Sequence, residues 1–413
     1  MRYSHFDIDV AYPLQELPLE RSDTGAAVLV RRKGVPIGFW MEATHGAPSV
    51  SIDTLEQRIA SKFGDRIVAE AVREELTPRS DPLAFPSLTI AICTKDRPEG
   101  LERLLESLRT QLAAAAAARR PIEVLIVDNA PSDSRTRDLA ARWPDVRYVL
   151  EPKPGLNFGR NRAVRESGSE FLTYLDDDVV VDCGWLAGLC EAWAANRDAG
   201  AFTGQVLALE LETEAQIIFE RRGGFRRGFD RVRYGPISVN DQLYPGGAGS
   251  FGAGANMCFR TRMLAALGGF DEALDTGAWV PGGGDLDMFY RVIRAGYPLV
   301  YEPRFLVFHE HRREMAALSR QYRRSWGLGF TCYLVKCLKT DPERRVPLLR
   351  LVKWWFVHHT RVLLHNLHRQ ARGLDYTIPP KMLAGELWGG LVGLLGGYGR
   401  SARRVAAIRR QFQ

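Results

Sequence analysis

From Ser87 onward, the apolar positions of this chain alternate between two patterns: continuous runs typical of buried strands, and three-to-four-residue spacing typical of helices. Strands are predicted for the runs SLTIAIC, IEVLIVDN, VRYVLEP and EFLTYLDDD. Helices are predicted between them, for PEGLERLLESLRTQLAAAAAA, DSRTRDLAARW and the end of GLNFGRNRAVRESG. Strands that alternate with helices predict an α/β fold whose mostly parallel sheet has right-handed crossovers.

Two flanking segments lack this alternation. Residues 1–85 predict a small N-terminal α+β unit, because AAVLVRRKGVPIGFWME resembles two strands around a glycine turn and SIDTLEQRIASKFGDRIVAEAVREEL has helical spacing. The following TPRSDPLAFPS is rich in proline and polar residues, which is typical of a linker. We therefore predict a main domain over residues 86–330 and a basic helical C-terminal region over residues 331–413.

Charge is distributed unevenly along the chain. Pro303 to Gln413 holds 21 Lys and Arg against 6 Asp and Glu, whereas the whole chain holds 56 against 49. A basic tail favours an anionic partner, such as a membrane surface or a phosphorylated acceptor. RVPLLRLVKWWFVHHTRVLLHNLHRQ is basic, aromatic and helical in spacing, so it fits either a membrane interface or a helix that covers the main domain. Nucleic-acid binding has only charge in its favour, and we do not expect it.

The chain shows no recognisable export or membrane-spanning signal. MRYSHFDIDV lacks the apolar core of a secretory signal, and no stretch approaches the roughly 18 uninterrupted apolar residues of a spanning helix. The six cysteines form no CxxC pair and predict reduced core thiols. We expect a cytoplasmic protein, with peripheral attachment at the inner membrane face as the alternative that the tail allows.

Polar clusters follow three of the predicted strands: CTKDRP, VDN and DDD. Because ligands of parallel sheets bind beyond the carboxyl ends of the strands, these clusters predict one site. The triplet Asp176–Asp178 needs an explanation, since adjacent carboxylates repel and burying one unpaired costs several kcal/mol. Oxygen ligands of this kind suit Mg²⁺ or Mn²⁺. The alternative is an acidic cap for the helix at CGWLAGLCEAW, and the triplet alone leaves both open.

Three later motifs add candidate groups. In PGGGDLDMFYRVIRAG, Asp285 ends a flexible glycine loop and is the better general-base candidate, whereas Asp287 fits a helix cap. In FLVFHEHRR, His309 is a candidate metal or phosphate ligand. In QYRRSWGLG, Arg324 could clamp a phosphate and Trp326 could stack on a sugar, although an amphipathic helix surface explains them equally well.

Taken in order, several segments resemble the family 2 glycosyltransferases of GT-A fold. They are SLTIAICTKDRPEGLERLLESL, IEVLIVDNAPSD, GLNFGRNRAVRESGSEFLTYLDDDVVVDCGWL, GAGANMCFRTRMLAALGGFDEAL and GGGDLDMFYRVIRAGYPLVYEP. The resemblance covers residues 87–330. It implies a Rossmann-like, mostly parallel sheet flanked by helices, and transfer of a sugar from a nucleotide-sugar donor to an acceptor hydroxyl.

The resemblance also implies a role for each matching residue. Asp285 would be the base that deprotonates the acceptor hydroxyl. Asp178 would be the main ligand of Mg²⁺ or Mn²⁺, joined by His309. The implied nucleotide-sugar contacts are Thr94, Asp96, Arg97, Asp128, Asn157, Arg160, Asn161, Asp176, Asp177, Arg324 and Trp326.

Two departures from the family pattern matter. Gly284 stands where the family's ED motif has its first acid, so the environment of the base must differ. The spacing QxxRxW, in place of the QxxRW of processive relatives, and the lack of spanning helices favour transfer of a single sugar. With Asp285 as the base, the resemblance implies a single displacement with inversion, in polysaccharide, glycolipid or glycoconjugate synthesis. A lipid-linked acceptor fits the basic tail.

Two alternative functions stay open. One is a nucleotidyltransferase, although its expected phosphate loop is missing here, and the other is an inactive sugar- or nucleotide-binding module.

Overall fold

The computed structural model describes residues 1–76, 85–120, 122–235, 243–275 and 279–412. The strands are β1 Tyr3–Asp9, β2 Leu17–Pro18, β3 Gly25–Arg32, β4 Val35–Ala43, β5 Ser49–Val50, β6 Leu88–Thr94, β7 Ile122–Asn129, β8 Val146–Glu151, β9 Phe171–Asp176, β10 Val179–Val181, β11 Ala201–Ala208, β12 Val232–Tyr234, β13 Asn256–Arg260 and β14 Leu299–His309.

The helices follow the same chain order. They are α1 Ile52–Leu76, α2 Pro98–Ala117, α3 Arg135–Ala140, α4 Leu156–Glu166, α5 Trp185–Ala195, α6 Glu214–Arg221, α7 Thr261–Ala266, α8 Gly284–Arg294, α9 Met315–Gln321, α10 Phe330–Thr340, α11 Arg345–Ala371, α12 Pro380–Val392 and α13 Tyr398–Gln411. A π-helical segment, Tyr322–Gly329, joins α9 to α10, and a kinked one, Gly393–Gly397, joins α12 to α13.

One large mixed sheet organises the main domain, in the order β10-β14-β11-β13-β9-β6-β7-β8, with β12 beside β14. Strands β9, β6, β7 and β8 are parallel, and β13 runs antiparallel to both β9 and β11. The register pairs Thr94 with Asp128, and Cys93 with Asp176. The α/β prediction is confirmed, and the predicted polar clusters meet at one edge of this sheet.

The central strands are buried on both faces, which explains their continuous apolar runs. Ile90 and Ile92 pack with Leu104 of α2 on one face of the sheet. Ala91 and Cys93 pack on the other face, in the cluster that contains Phe259. Burial of both faces fixes the register, so the carboxyl ends of β6, β7 and β9 stay side by side.

The N-terminal segment forms its own three-stranded sheet, β1-β3-β4, covered by α1. The two predicted strands and the helix are present, and β1 adds a parallel strand that the apolar pattern did not predict. Leu29 and Phe39 share a core with Leu306 of β14, and Arg31 Nη2 lies 2.6 Å from Asp182 Oδ2. Residues 77–84 of the predicted linker lie outside the described residues, and the domain boundaries stay a prediction.

Helices α10 to α13 pack on the main domain. Leu348, Leu351 and Trp355 of α11 are buried, whereas Trp354 and Leu364 on its other face are exposed. Within the described ranges, no helix is both long and apolar enough to cross a membrane. The cysteine prediction fails at one position. Cys183 is exposed, because it lies in the turn before α5, while Cys93, Cys190, Cys258, Cys332 and Cys337 are buried thiols.

Candidate active site

A cavity of about 1190 Å³ opens at the carboxyl edge of the sheet. The ends of β6, β7 and β9, the glycine loop before α8, the π-helical segment, α11 and α12 all contribute to its wall. Most of the predicted site residues line it: Thr94, Asp96, Arg97, Arg160, Asp176, Asp177, Asp178, Asp285, His309, Arg324 and Trp326. Three do not, namely Asp128, Asn157 and Asn161.

Each carboxylate of the triplet faces a different partner. Asp176 Oδ1 lies 3.5 Å from Arg160 Nη2. Asp177 Oδ2 accepts a hydrogen bond from Thr94 Oγ1 (2.7 Å), and its Oδ1 accepts one from Arg97 Nη1 (3.0 Å). The same Arg97 nitrogen donates to Asp178 Oδ2 (3.0 Å). Arg97 and Arg160 therefore offset much of the repulsion between the three adjacent carboxylates.

Burial and these cations set the ionisation of the triplet. Burial raises the pKa of Asp176 to about 6 and raises the pKa of Asp177, although Arg160 and Arg97 oppose it. Burial lowers the pKa of His309 to about 4, so the ring is neutral at pH 7. Burial of Asp178 acts to raise its pKa, but nearby positive charge lowers it overall. At pH 7, where His309 is neutral, Arg97 and Arg312 supply that charge.

Asp178 and His309 fit a divalent cation. Asp178 Oδ1 is buried without a hydrogen-bond partner, 3.3 Å from His309 Nε2. Two ligands at right angles around one cation, at about 2.1 Å each, lie about 3.0 Å apart. Among the described residues, no three His, Cys, Asp or Glu side chains form a metal-binding group. A cation held here would draw its remaining ligands from water and donor phosphates, as Mg²⁺ usually does.

Asp285 lies in the first turn of α8, at the cavity wall. Its Oδ2 accepts a hydrogen bond from Gly254 N (3.0 Å) and its Oδ1 one from Leu286 N (2.9 Å). The structure explains why glycine precedes it. A Cβ at Gly284 would lie 2.4 Å from Asn157 Nδ2 and 2.5 Å from the carbonyl oxygen of Leu274, so no larger residue fits without a shift.

Asn157 and Asn161 support the cavity wall from behind. Asn157 Nδ2 donates to the carbonyl oxygens of Asp271 (2.9 Å) and Leu274 (2.6 Å). Asn161 Oδ1 accepts from Phe270 N (2.7 Å), and its amide donates back to the Phe270 carbonyl (2.8 Å). Both buried amides thus hold the segment that leads to the glycine loop, and their predicted nucleotide contacts stay a prediction.

Asp128 and Asp96 occupy the neighbouring strand ends. Asp128 is fully buried; its Oδ2 accepts from Tyr148 Oη (2.9 Å), and burial raises its pKa. Asp96 has a left-handed backbone (φ 56°), and its Oδ1 accepts from Ser132 N (2.8 Å), which lowers its pKa. Asn129, which follows Asp128, lines the cavity in its place.

The far end of the cavity is aromatic and cationic. Trp326 stacks on Tyr322 with ring centroids 4.9 Å apart, and the Arg222 guanidinium lies 4.9 Å from the Trp326 ring. Arg222 forms a two-point ion pair with Glu386 of α12 (2.8 and 3.1 Å). Trp355 of α11 also lines this end. Sequence reasoning missed Arg222, Glu386 and Trp355, because three separate elements bring them together and no local motif marks them.

Comparisons with known proteins bear on the family of this chain. Residues 89–242 match the family model described as glycosyl transferase family 2, and residues 171–383 match the one described as glycosyl transferase family group 2. The chain is 26% identical over 258 residues to the pre-mycofactocin glycosyltransferase of Mycobacterium tuberculosis, which covers 60% of this chain and 48% of that protein. The chain thus spans about half the length of that curated relative.

Two further similarities complete the comparison. The succinoglycan biosynthesis protein ExoM of Rhizobium meliloti is 29% identical over 245 residues, 58% of this chain and 72% of that protein. Among solved structures, the mannosyltransferase PcManGT from Pyrobaculum calidifontis, in complex with GDP-Man and Mn²⁺, matches with a TM-score of 0.42. It is 17% identical and covers 85% of this chain and 86% of that chain.

Proposed function

The chain belongs to glycosyltransferase family 2, with its GT-A fold, and from this premise we propose that it is an inverting, metal-dependent enzyme that transfers one sugar from a nucleotide-sugar donor to an acceptor hydroxyl. The observation that carries the proposal is the single cavity shared by Asp178, His309 and Asp285. It combines candidate cation ligands with a candidate base, which is what a displacement at the anomeric carbon requires.

On this proposal, the strand ends bind the nucleotide. Thr94, Asp96 and Arg97 lie at the end of β6 beside Asn129, where parallel sheets bind ligands. Asp178 and His309 hold Mg²⁺ or Mn²⁺, whose charge when bound neutralises the leaving diphosphate. Arg97, which bridges Asp177 and Asp178, is free to shift one of its hydrogen bonds to a phosphate oxygen.

Asp285 takes the acceptor proton. Its two backbone hydrogen bonds hold the carboxylate at the cavity wall, and the adjacent Gly284 leaves no second acid there. One carboxylate acting as base supports a single displacement, which inverts the anomeric configuration. NMR of the product tests this point, since a product of retained configuration would exclude it.

The proposed activity is tested first at the donor site. Thermal shifts are measured with UDP, GDP, dTDP and CDP, each with and without Mn²⁺, followed by slow donor hydrolysis with the matching sugar. We expect a metal-dependent stabilisation by one nucleotide, and its loss in Asp178→Asn. Binding without any hydrolysis or transfer would instead indicate an inactive nucleotide-binding module.

We also propose that the exposed face of α11 contacts an anionic membrane, which would place a lipid-linked acceptor near the cavity. Trp354 and Leu364 are 51% and 59% exposed on this face, beside the exposed Lys353 and Arg361. An apolar stripe with flanking cations is typical of interfacial helices. Flotation with phosphatidylglycerol vesicles should weaken in Trp354→Glu but not in Val68→Glu, an exposed change on α1. Equal flotation of both variants would exclude this surface.

A further inference from the structure

A chain of buried polar groups leads away from the candidate cation ligands. His309 Nε2 lies 3.3 Å from Asp178 Oδ1, and His309 Nδ1 lies 3.0 Å from His311 Nδ1. His311 Nε2 in turn lies 2.8 Å from Glu220 Oε1, and Arg226 Nε lies 2.8 Å from Glu220 Oε2. His309, His311 and Glu220 are 9%, 3% and 0% exposed, so water does not compete for these contacts.

With both rings neutral, hydrogen-bond chemistry fixes the direction of this chain. Two facing Nδ1 atoms at 3.0 Å need one proton between them, because two lone pairs would repel. If His309 donates from Nδ1, a neutral His311 accepts at Nδ1 and donates from Nε2 to the Glu220 carboxylate. This arrangement satisfies both contacts with two neutral rings, and it leaves the lone pair of His309 Nε2 facing Asp178.

The reverse arrangement fails at its far end. A neutral His311 that donated from Nδ1 would turn the lone pair of its Nε2 toward the Glu220 carboxylate, 2.8 Å away. The ion pair with Arg226 stabilises the negatively charged form of Glu220. The Glu220 carboxylate therefore selects the tautomer of His309, although the two side chains are connected only through His311.

Aromatic rings fix the orientation of both imidazoles. Phe225 meets His309 edge-to-face at 5.2 Å, and Phe219 meets His311 in the same way at 4.7 Å. Such contacts restrict ring rotation without competing for the nitrogen atoms. The rings are thus held both in tautomer and in angle.

We infer that Glu220 and His311 are positioning residues, which hold His309 with its Nε2 lone pair ready for the divalent cation. Partners of this kind are typically worth 10–100-fold in metal affinity, because they fix the ligand's tautomer and orientation. The inference rests on the cation site of the proposed function. It adds two residues that act on the cation through His309 and are not themselves ligands.

The test compares His311→Phe with His311→Asn in the full chain. Phe keeps a ring against Phe219 but removes the acceptor for His309 Nδ1, whereas the Asn side chain can place an oxygen near the position of that nitrogen. Mn²⁺ affinity, measured by electron paramagnetic resonance of the free ion, should fall about 10–100-fold in His311→Phe and recover in His311→Asn. Glu302→Gln, which alters a buried carboxylate paired with Arg231 outside the cavity, is the matched control and should bind Mn²⁺ normally.

A second readout reports the hydrogen bond itself. With Co²⁺ in place of Mn²⁺, the Nδ1 proton of a ligating His309 gives a paramagnetically shifted, exchangeable proton resonance. We expect this resonance in the natural protein and in His311→Asn, and its loss through fast exchange in His311→Phe. If His311→Phe does not fold, Glu220→Leu takes its place and should weaken Mn²⁺ binding in the same range.

These measurements distinguish failure of the positioning role from failure of the cation site itself. Unchanged Mn²⁺ affinity and an unchanged resonance in His311→Phe would overturn the positioning role while leaving the cation site intact. Absence of Mn²⁺ binding in the natural protein, tested with and without the nucleotide that stabilises it, would overturn the cation site and this inference with it.

Discussion

Replacing Asp285 by Asn removes the proposed base while nearly preserving its volume. A positioned general base contributes about 10²–10⁴-fold to the rate, which is about 3–5 kcal/mol of the barrier. The effect on folding should be much smaller. The carboxylate accepts hydrogen bonds from Gly254 N and Leu286 N, and the amide can accept only one of them with its single oxygen, at a cost of about 1 kcal/mol.

The assay measures nucleoside diphosphate release at saturating donor and acceptor, beside a thermal melt of each variant. We expect kcat of Asp285→Asn to fall at least 100-fold with a melting temperature only a few degrees lower. The control is Asp287→Asn, two residues further along the same helix. Asp287 is fully buried between Lys336 and Arg291, so this change should cost about 3–5 kcal/mol of stability.

The two variants therefore separate catalysis from folding. If Asp285→Asn kept more than a tenth of its kcat, the base assignment would be wrong. If its activity fell only in step with its melting temperature, Asp285 would be a structural residue like Asp287.

Three further outcomes follow from the geometry. Gly284→Ala places a methyl group against Asn157 and should destabilise the fold by about 1–3 kcal/mol in urea unfolding; an unchanged midpoint would show that the loop yields freely. Burial raises the pKa of Asp275 to about 8, so the folded protein keeps a proton that the unfolded chain releases near pH 4. Stability from this group is present at pH 4 and is lost as the pH rises toward 8. Asp275→Asn, which cannot ionise at this position, should lose less stability between pH 5 and pH 8 than the natural protein. Equal losses in the two proteins would contradict a raised pKa of Asp275 in the folded state. Chelation with EDTA should abolish transfer and Mn²⁺ should restore it, whereas full activity after chelation would remove the cation from the mechanism.

The strand ends could be predicted from sequence because polarity changes abruptly there. A buried strand cannot continue through Asp177 and Asp178 or past Thr94, so the apolar runs indicated both the strands and the polar edge that forms the cavity. Local spacing also predicted α1 and α11 to within about one residue, since each helix has its own periodic apolar positions.

Other features depend on contacts that no local pattern encodes. A proline is expected to interrupt a paired strand, yet β14 runs through Pro303, because its pairing with β11 shifts register between Gly204 and Val206. Glu220 and His311 meet across 91 residues. The far wall of the cavity likewise requires α11 and α12 to fold back onto the π-helical segment, which only tertiary packing decides.

The small N-terminal sheet has a consequence for how this enzyme can be divided. Arg31 reaches Asp182, which follows the short strand β10 directly after the acidic triplet, and Phe39 lies beneath the guanidinium of Arg226, 5.1 Å away. A fragment that began at residue 86 would lack Arg31 and so leave the buried carboxylate of Asp182 without this partner. It would also expose the apolar side chain of Leu306. The first 76 residues therefore stabilise elements beside the candidate active site, and a minimal active fragment should be sought by trimming elsewhere.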